Sequence, residues 1–164
     1  MSLASLSISA SSSVKTPRSP VKKRTVVVDD SVTILHAICS LLEHQEIVEV
    51  VGRAESGQET IDAVNELRPD LVLMDADMPG MSGLRASLLL SQASLAPKIV
   101  LMSMDTTPQF RRACSACGAF AVIYKPKFLS ELAKLIEQTP AEDWEKSNRR
   151  RKLPPSSTLA QAAL

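Results

Sequence analysis

Between residues 25 and 138 the chain alternates five short, unbroken apolar runs with stretches of helical period, and few architectures accommodate that pattern. The runs are 25–29, 47–51, 70–75, 98–102 and 119–124, all of strand length and rich in aliphatic or β-branched residues. Unbroken rather than alternating hydrophobicity marks strands covered on both faces, as in a parallel sheet. Between the runs, Ile34, Leu35, Ile38, Leu41 and Leu42 recur at helical spacing. So do Ile61, Val64 and Leu67, then Leu84, Leu88 and Leu89, and finally Phe128, Leu129, Leu132, Leu135 and Ile136. A further helix is expected near 108–117. Ser56-Gly57-Gln58-Glu59 has capping-box spacing at the second helix, and Pro69 closes it. Five strands alternating with five helices predict a doubly wound α/β sheet, with its functional crevice at the carboxyl ends of the strands.

Charge divides the chain in three. Residues 1–24 carry five Lys or Arg, eight Ser and no acid, with Pro17 and Pro20, and residues 1–22 read as a disordered basic tail. Residues 139–164 carry Arg149, Arg150, Arg151 and Lys152, then Pro154 and Pro155, and read as a second, largely disordered tail with one helical turn around Trp144. The block from 25 to 138 holds nine bases and fifteen acids, about −6. The 149–152 run is read chiefly as a solvated stretch, with nucleic acid or an acidic protein as the functional alternative. The Ser-rich start has the composition of an organellar transit peptide as well as of a plain tail. No apolar stretch approaches the roughly 18 residues of a membrane span. Three cysteines are too few and too odd in number for a disulfide framework, which favours a reducing, cytoplasmic setting.

Polar groups end the apolar runs. Asp29 and Asp30 follow the first, Asp75 and Asp77 the third, Ser103 the fourth and Lys125-Pro126 the fifth. Carboxylates converging on one spot repel at neutral pH unless a cation neutralises them, and an all-oxygen site suits Mg²⁺ or Mn²⁺. A lysine and a hydroxyl at the same rim are natural partners for phosphoryl oxygens, while a carboxylate beside a metal can attack phosphorus. Phosphoryl transfer onto an aspartate is the chemistry this set favours.

Over residues 23–138 these motifs resemble the receiver domain of two-component response regulators. Val26-Val27-Val28-Asp29-Asp30-Ser31 is similar to the family's acidic pair, and Leu71 to Gly83 to its phosphoacceptor loop. Leu101-Met102-Ser103 resembles its hydroxyl position, and Tyr124-Lys125-Pro126 its lysine with a proline usually in a cis bond. Four motifs in order on strand ends are specific where any one is weak. The resemblance implies a flavodoxin-like sheet of order 2-1-3-4-5. It implies Asp75 as the phosphorylated nucleophile, Asp30 and Asp75 as direct Mg²⁺ ligands, Asp29 acting through water and Asp77 through its backbone carbonyl. Ser103 and Lys125 would each take a phosphoryl oxygen, drawing the fourth-strand loop inward. It further implies a sensor histidine kinase or phosphotransfer protein as donor, a downstream protein target, and a switch-sensitive surface on the fourth helix, fifth strand and fifth helix able to support dimerisation.

Three features depart from the common pattern. Asp77 and Asp105 place extra negative charge where attacking water would pass. Val122 stands where many members carry an aromatic residue that reports the switch. The 26 residues after Gln138 are too few for a DNA-binding domain of roughly 50 residues, so action through the surface or tails is expected.

Two other readings remain. Asp75-x-Asp77 with Ser103 and Lys125 also echoes haloacid dehalogenase-type phosphatases, but Pro79 stands where those favour Thr or Val, and the acidic pair lies upstream instead of after the lysine. A non-phosphorylated scaffold would keep the fold without the chemistry. Among the remaining residues, Asp29 and Asp30 could alone be helix-capping acids, and Asp77-Met78-Pro79-Gly80 a turn. Cys114 and Cys117 read as small buried residues rather than a zinc pair. His36 and His44 read as a partly buried and an exposed surface residue, and Met78, Met81, Met102 and Met104 as gap fillers.

Overall fold

A computed structural model of the chain describes residues 22–93 and 96–144. Five parallel strands, β1 (Lys23–Val28), β2 (Val48–Ala54), β3 (Leu71–Asp75), β4 (Lys98–Ser103) and β5 (Ala121–Tyr124), form one sheet in the order β2-β1-β3-β4-β5. The helices are α1 (Val32–Glu43), α2 (Gly57–Leu67), α3 (Gly83–Ser91), α4 (Pro108–Ala116) and α5 (Phe128–Gln138). This is the doubly wound sheet that the alternation of apolar runs predicts. Strand order reverses between β1 and β3, so their carboxyl ends open a crevice there.

Alternate strand residues face opposite layers. Val26, Val28, Val72, Met74, Ile99 and Leu101 pack under α2, α3 and α4, while Val27, Leu71, Leu73, Val100 and Met102 pack under α1 and α5. Both faces are covered, which is why β3 is buried at all five positions.

Helix starts follow local chemistry. Ser31 Oγ accepts the Ile34 N–H and Ser82 Oγ the Arg85 N–H, while Thr107 Oγ1 accepts the Phe110 N–H with Pro108 in the first turn. At α2, Ser56 Oγ accepts the Glu59 N–H, and Glu59 reaches back to the Glu55 N–H, one residue before the cap. That helix ends at Arg68 in the left-handed region (φ 45°), ahead of Pro69.

Several expectations need correction. β2 runs on to Ala54 through Gly52 and Arg53, because an edge strand pairs on one side only and tolerates an exposed arginine. Ile34 and Leu41 are exposed (43% and 47%), since α1 offers the sheet only the narrower stripe of Leu35, Ile38, Cys39 and Leu42. Leu88 and Leu89 of α3 are likewise exposed, and Ala86 and Leu90 face the core. His36 is exposed, as His44 is. Met104 is 62% exposed on the loop after β4 and fills no gap. The Lys125–Pro126 peptide is trans, with residues Lys125–Lys127 forming a single 3-10 turn in which the proline needs no N–H partner. Packing also continues past Gln138. Residues 141–144 form the anticipated helical turn, and Trp144 is buried in the α1/α5 layer. The segments 1–21 and 145–164, including the basic run 149–152, lie outside the described residues.

Candidate functional site

Four of the five strands bring a polar residue to one rim, at the strand's end or one residue beyond it. β1 ends one residue before Asp29, β3 at Asp75, β4 at Ser103 and β5 one residue before Lys125. Oxygen atoms of Asp29, Asp30 and Asp75 all lie within 4.8 Å of one another. Asp29 and Asp75 are nearly inaccessible, whereas Asp30 is exposed. Ser31 N–H donates to Asp29 Oδ1 (3.0 Å), so the residue that caps α1 also orients the Asp29 carboxylate.

Lys125 supplies the opposing charge. Its Nζ lies 2.8 Å from Asp75 Oδ2 and 3.2 Å from Asp29 Oδ2. Burial alone would lower its pKa, but the hydrogen bond and charge of Asp75, followed by those of Asp29, outweigh burial and hold it above the ordinary lysine value. The ammonium therefore stays protonated at neutral pH.

Two backbone devices shape the acceptor loop. Asp77 N–H donates to Asp75 Oδ1 (3.1 Å), orienting that carboxylate. Gly83 N–H donates to the Ala76 carbonyl, and a Cβ at Gly83 would collide with the Asp75 carbonyl oxygen and stand 2.8 Å from Ala76 Cα. Only glycine lets α3 start so close beneath Asp75. On the other side, the fully buried Ser103 Oγ donates to Asp77 Oδ2 (3.3 Å) and accepts the Asp105 N–H (3.0 Å). Asp105 Oδ1 in turn accepts the Thr107 N–H (2.7 Å) at the cap of α4.

All the residues picked out at strand ends thus meet: Asp29, Asp30 and Asp75 face one another, Lys125 bonds two of them, and Ser103 joins through Asp77. Sequence reasoning missed the close approach of Gly83 and the Asp77–Ser103 bond. The former leaves only the trace of a glycine three residues after a Pro-Gly turn; the latter joins side chains 26 positions apart and leaves none. Cys114 and Cys117 lie buried together, with Cys117 Sγ donating to the Cys114 carbonyl, and burial pushes the Cys114 thiol up to about 11. Both pack into the layer under α2, α3 and α4. Among the described residues, no helix is long and apolar enough to cross a membrane.

A family model described as "Response regulator receiver domain" matches residues 25–137. The chain belongs to the response regulator receiver family. Over 114 residues this receiver is 36% identical to a protein-glutamate methylesterase/protein-glutamine glutaminase of Methanococcoides burtonii, covering 68% of this chain and 32% of that one. It is 34% identical to Response regulator GacA of Pseudomonas viridiflava over 113 residues, covering 69% of this chain and 53% of that protein. The chain therefore spans about a third to a half of the length of these relatives. Among solved structures, the response regulator domain of Thermotoga maritima CheB superposes with a TM-score of 0.66 at 26% identity, covering 72% of this chain and 96% of that one. The signal receiver domain of NarL from Mycobacterium tuberculosis gives 0.66 at 24% identity over 73% and 100%, a likeness of fold.

Proposed function

We propose that this receiver accepts a phosphoryl group on Asp75 in a Mg²⁺-dependent reaction, from a sensor histidine kinase or phosphotransfer protein, and thereby switches a protein-binding surface. The observation that carries the reading is the convergence of Asp29, Asp30 and Asp75 within 4.8 Å under the Lys125 ammonium. Three carboxylates against one lysine leave excess negative charge, and the donors are all oxygen, which fits a hard divalent cation. Asp30 and Asp75 would hold the ion directly, Asp29 through water and Asp77 through its backbone carbonyl. Bound there, Mg²⁺ would neutralise charge on the transferring phosphoryl oxygens.

The remaining steps belong to the chain's own residues. An Asp75 carboxylate oxygen forms a bond to phosphorus as the donor's phosphorus–nitrogen bond breaks, and the imidazole leaves with the electron pair. Asp77 N–H orients the acceptor carboxylate, and Lys125 is close enough to pair with a phosphoryl oxygen. Ser103, at the end of β4, takes another, which couples the site to the loop leading into α4. The exposed apolar edge of α1, with Ile34 and Leu41, borders a groove shared with Lys125 and the half-buried Phe128 of α5, and suits a donor that docks an apolar helix face. The downstream target is assigned to the faces of α4, β5 and α5. Buried free thiols at Cys39, Cys114 and Cys117 fit a reducing cytoplasm.

Intact-protein mass after incubation with acetyl phosphate and Mg²⁺ tests the reading. One labile phosphoryl group is expected in the wild type and none in Asp75→Ala or a chelated sample. Continuing phosphate release without an adduct would overturn it in favour of a phosphatase.

A further inference from the structure

Ser103 Oγ makes two hydrogen bonds that restrict what it can do next. It accepts the Asp105 N–H at 3.0 Å and donates toward Asp77 Oδ2 at 3.3 Å. A serine hydroxyl has a single proton to give. The Asp105 N–H takes up one of the hydroxyl's lone pairs, and the proton, which serves one acceptor at a time, goes to the Asp77 carboxylate. Asp77 is itself anchored at the rim, because its N–H is bonded to Asp75 Oδ1. Beyond Ser103 the chain of bonds runs through Asp105 Oδ1 to the Thr107 N–H, and from Thr107 Oγ1 to the Phe110 N–H in the first turn of α4. One continuous set of contacts therefore joins the acceptor loop to the start of α4.

We infer that Asp77 is a positioning residue that holds the Ser103 hydroxyl in the resting state, so that its carboxylate competes with a phosphoryl group on Asp75 for the one Ser103 proton. The inference rests on Asp75 being the phosphoacceptor. It assigns the Asp77 side chain a role separate from that of its backbone carbonyl. Phosphorylation must break the Asp77–Ser103 bond before Ser103 can turn, so this bond sets how strongly a phosphoryl group is needed to move residues 104–107. Removing the Asp77 carboxylate frees the hydroxyl and lowers that threshold.

The test is the affinity of the full chain for beryllofluoride with Mg²⁺, a stable stand-in for the phosphoryl group, by titration calorimetry. Wild type, Asp77→Ala, Ser103→Ala and the double variant are compared, each shown by its urea transition to be folded. Asp77→Ala is expected to bind about tenfold more tightly, the scale of one hydrogen bond to a charged group. The gain should vanish when Ser103 is absent. In unliganded Asp77→Ala the Asp105 and Thr107 amide resonances should already shift toward their liganded positions. Unchanged or weaker binding by Asp77→Ala overturns the inference. So does an equal gain in the Ser103→Ala background, because lost charge alone would then account for it. A wild type that takes up no beryllofluoride overturns the phosphoacceptor reading and this one with it, whereas normal uptake with an unchanged Asp77→Ala overturns this one alone.

Discussion

The Lys125 ammonium stands 2.8 Å from Asp75 Oδ2 and 3.2 Å from Asp29 Oδ2, so one cation after β5 bridges carboxylates at the ends of β1 and β3. Lys125→Ala would leave two buried acids facing each other. A loss of about 2–3 kcal/mol at pH 7 is expected, on the low side for breaking a buried pair because the lysine side chain stays 23% exposed. Folding raises the Lys125 pKa, so its contribution is complete below the unfolded lysine value of about 10.4 and is lost as pH rises through the higher folded value. Urea unfolding at pH 7, 9 and 11 should show the gap between wild type and variant constant to pH 9 and narrowing at pH 11. A gap that widens there would contradict the assignment.

Metal should stabilise the fold through the same carboxylates. A ligand at ten times its Kd adds about 1.4 kcal/mol, roughly 5 °C in Tm for a domain of this size. Asp30→Asn removes the exposed member of the triad. Without metal its Tm should rise, since repulsion is relieved, and its response to Mg²⁺ should fall by half or more. Thermal melts with and without Mg²⁺ decide this. An undiminished response in Asp30→Asn would remove that residue from the ligand set.

The fold was legible because a sheet covered on both faces leaves an unmistakable trace, and the site because each polar residue that matters interrupts an apolar run. Asp29, Asp75, Ser103 and Lys125 could be found with no knowledge of contacts, since strand ends on one edge of a parallel sheet must meet. Periodicity was less informative about width. Ile34 and Leu41 share the spacing of the buried α1 residues, yet the sheet reaches only the middle of that stripe. Trp144 left no periodic signal, being a single aromatic in a polar segment, and its burial depends on Phe120, Lys23 and Lys98 from three different places in the chain.

Gly83 ties α3 to the acceptor loop by close backbone approach. Gly83→Ala sets a methyl group against the Asp75 carbonyl and Ala76 Cα, and backbone atoms cannot turn aside as a flexible side chain would. The expected cost is about 2–3 kcal/mol, the upper part of the range for overpacking. Because the displaced carbonyl belongs to Asp75, phosphorylation by acetyl phosphate should also slow by about tenfold or more, with the fold retained. Gly80→Ala is a useful contrast: its φ of 73° brings strain, but a Cβ there meets nothing within 4 Å. That variant should lose stability by about 1 kcal/mol, and its rate should change less than that of Gly83→Ala. Equal rates in the two would argue against a specific role for Gly83.

Trp144 packs edge-on to Phe120, with ring centroids 6.5 Å apart, and Lys23 and Lys98 place their ammonium groups 4.9 and 5.4 Å from its ring centroid. Its side chain is buried, but the indole N–H finds no hydrogen-bond partner among the described residues. Trp144→Ala should therefore cost about 3 kcal/mol, as for other large aromatic truncations. Trp144→Phe should cost under 1 kcal/mol, because the smaller ring gives up some packing while removing a buried donor whose desolvation is itself unfavourable by about 1–3 kcal/mol. A chain ending at Gln138 should behave like Trp144→Ala. Urea unfolding followed by far-ultraviolet circular dichroism measures all three. Should Trp144→Phe prove as damaging as Trp144→Ala, the indole nitrogen would be an asset to the fold, and the packing of the terminal turn would depend on more than the ring.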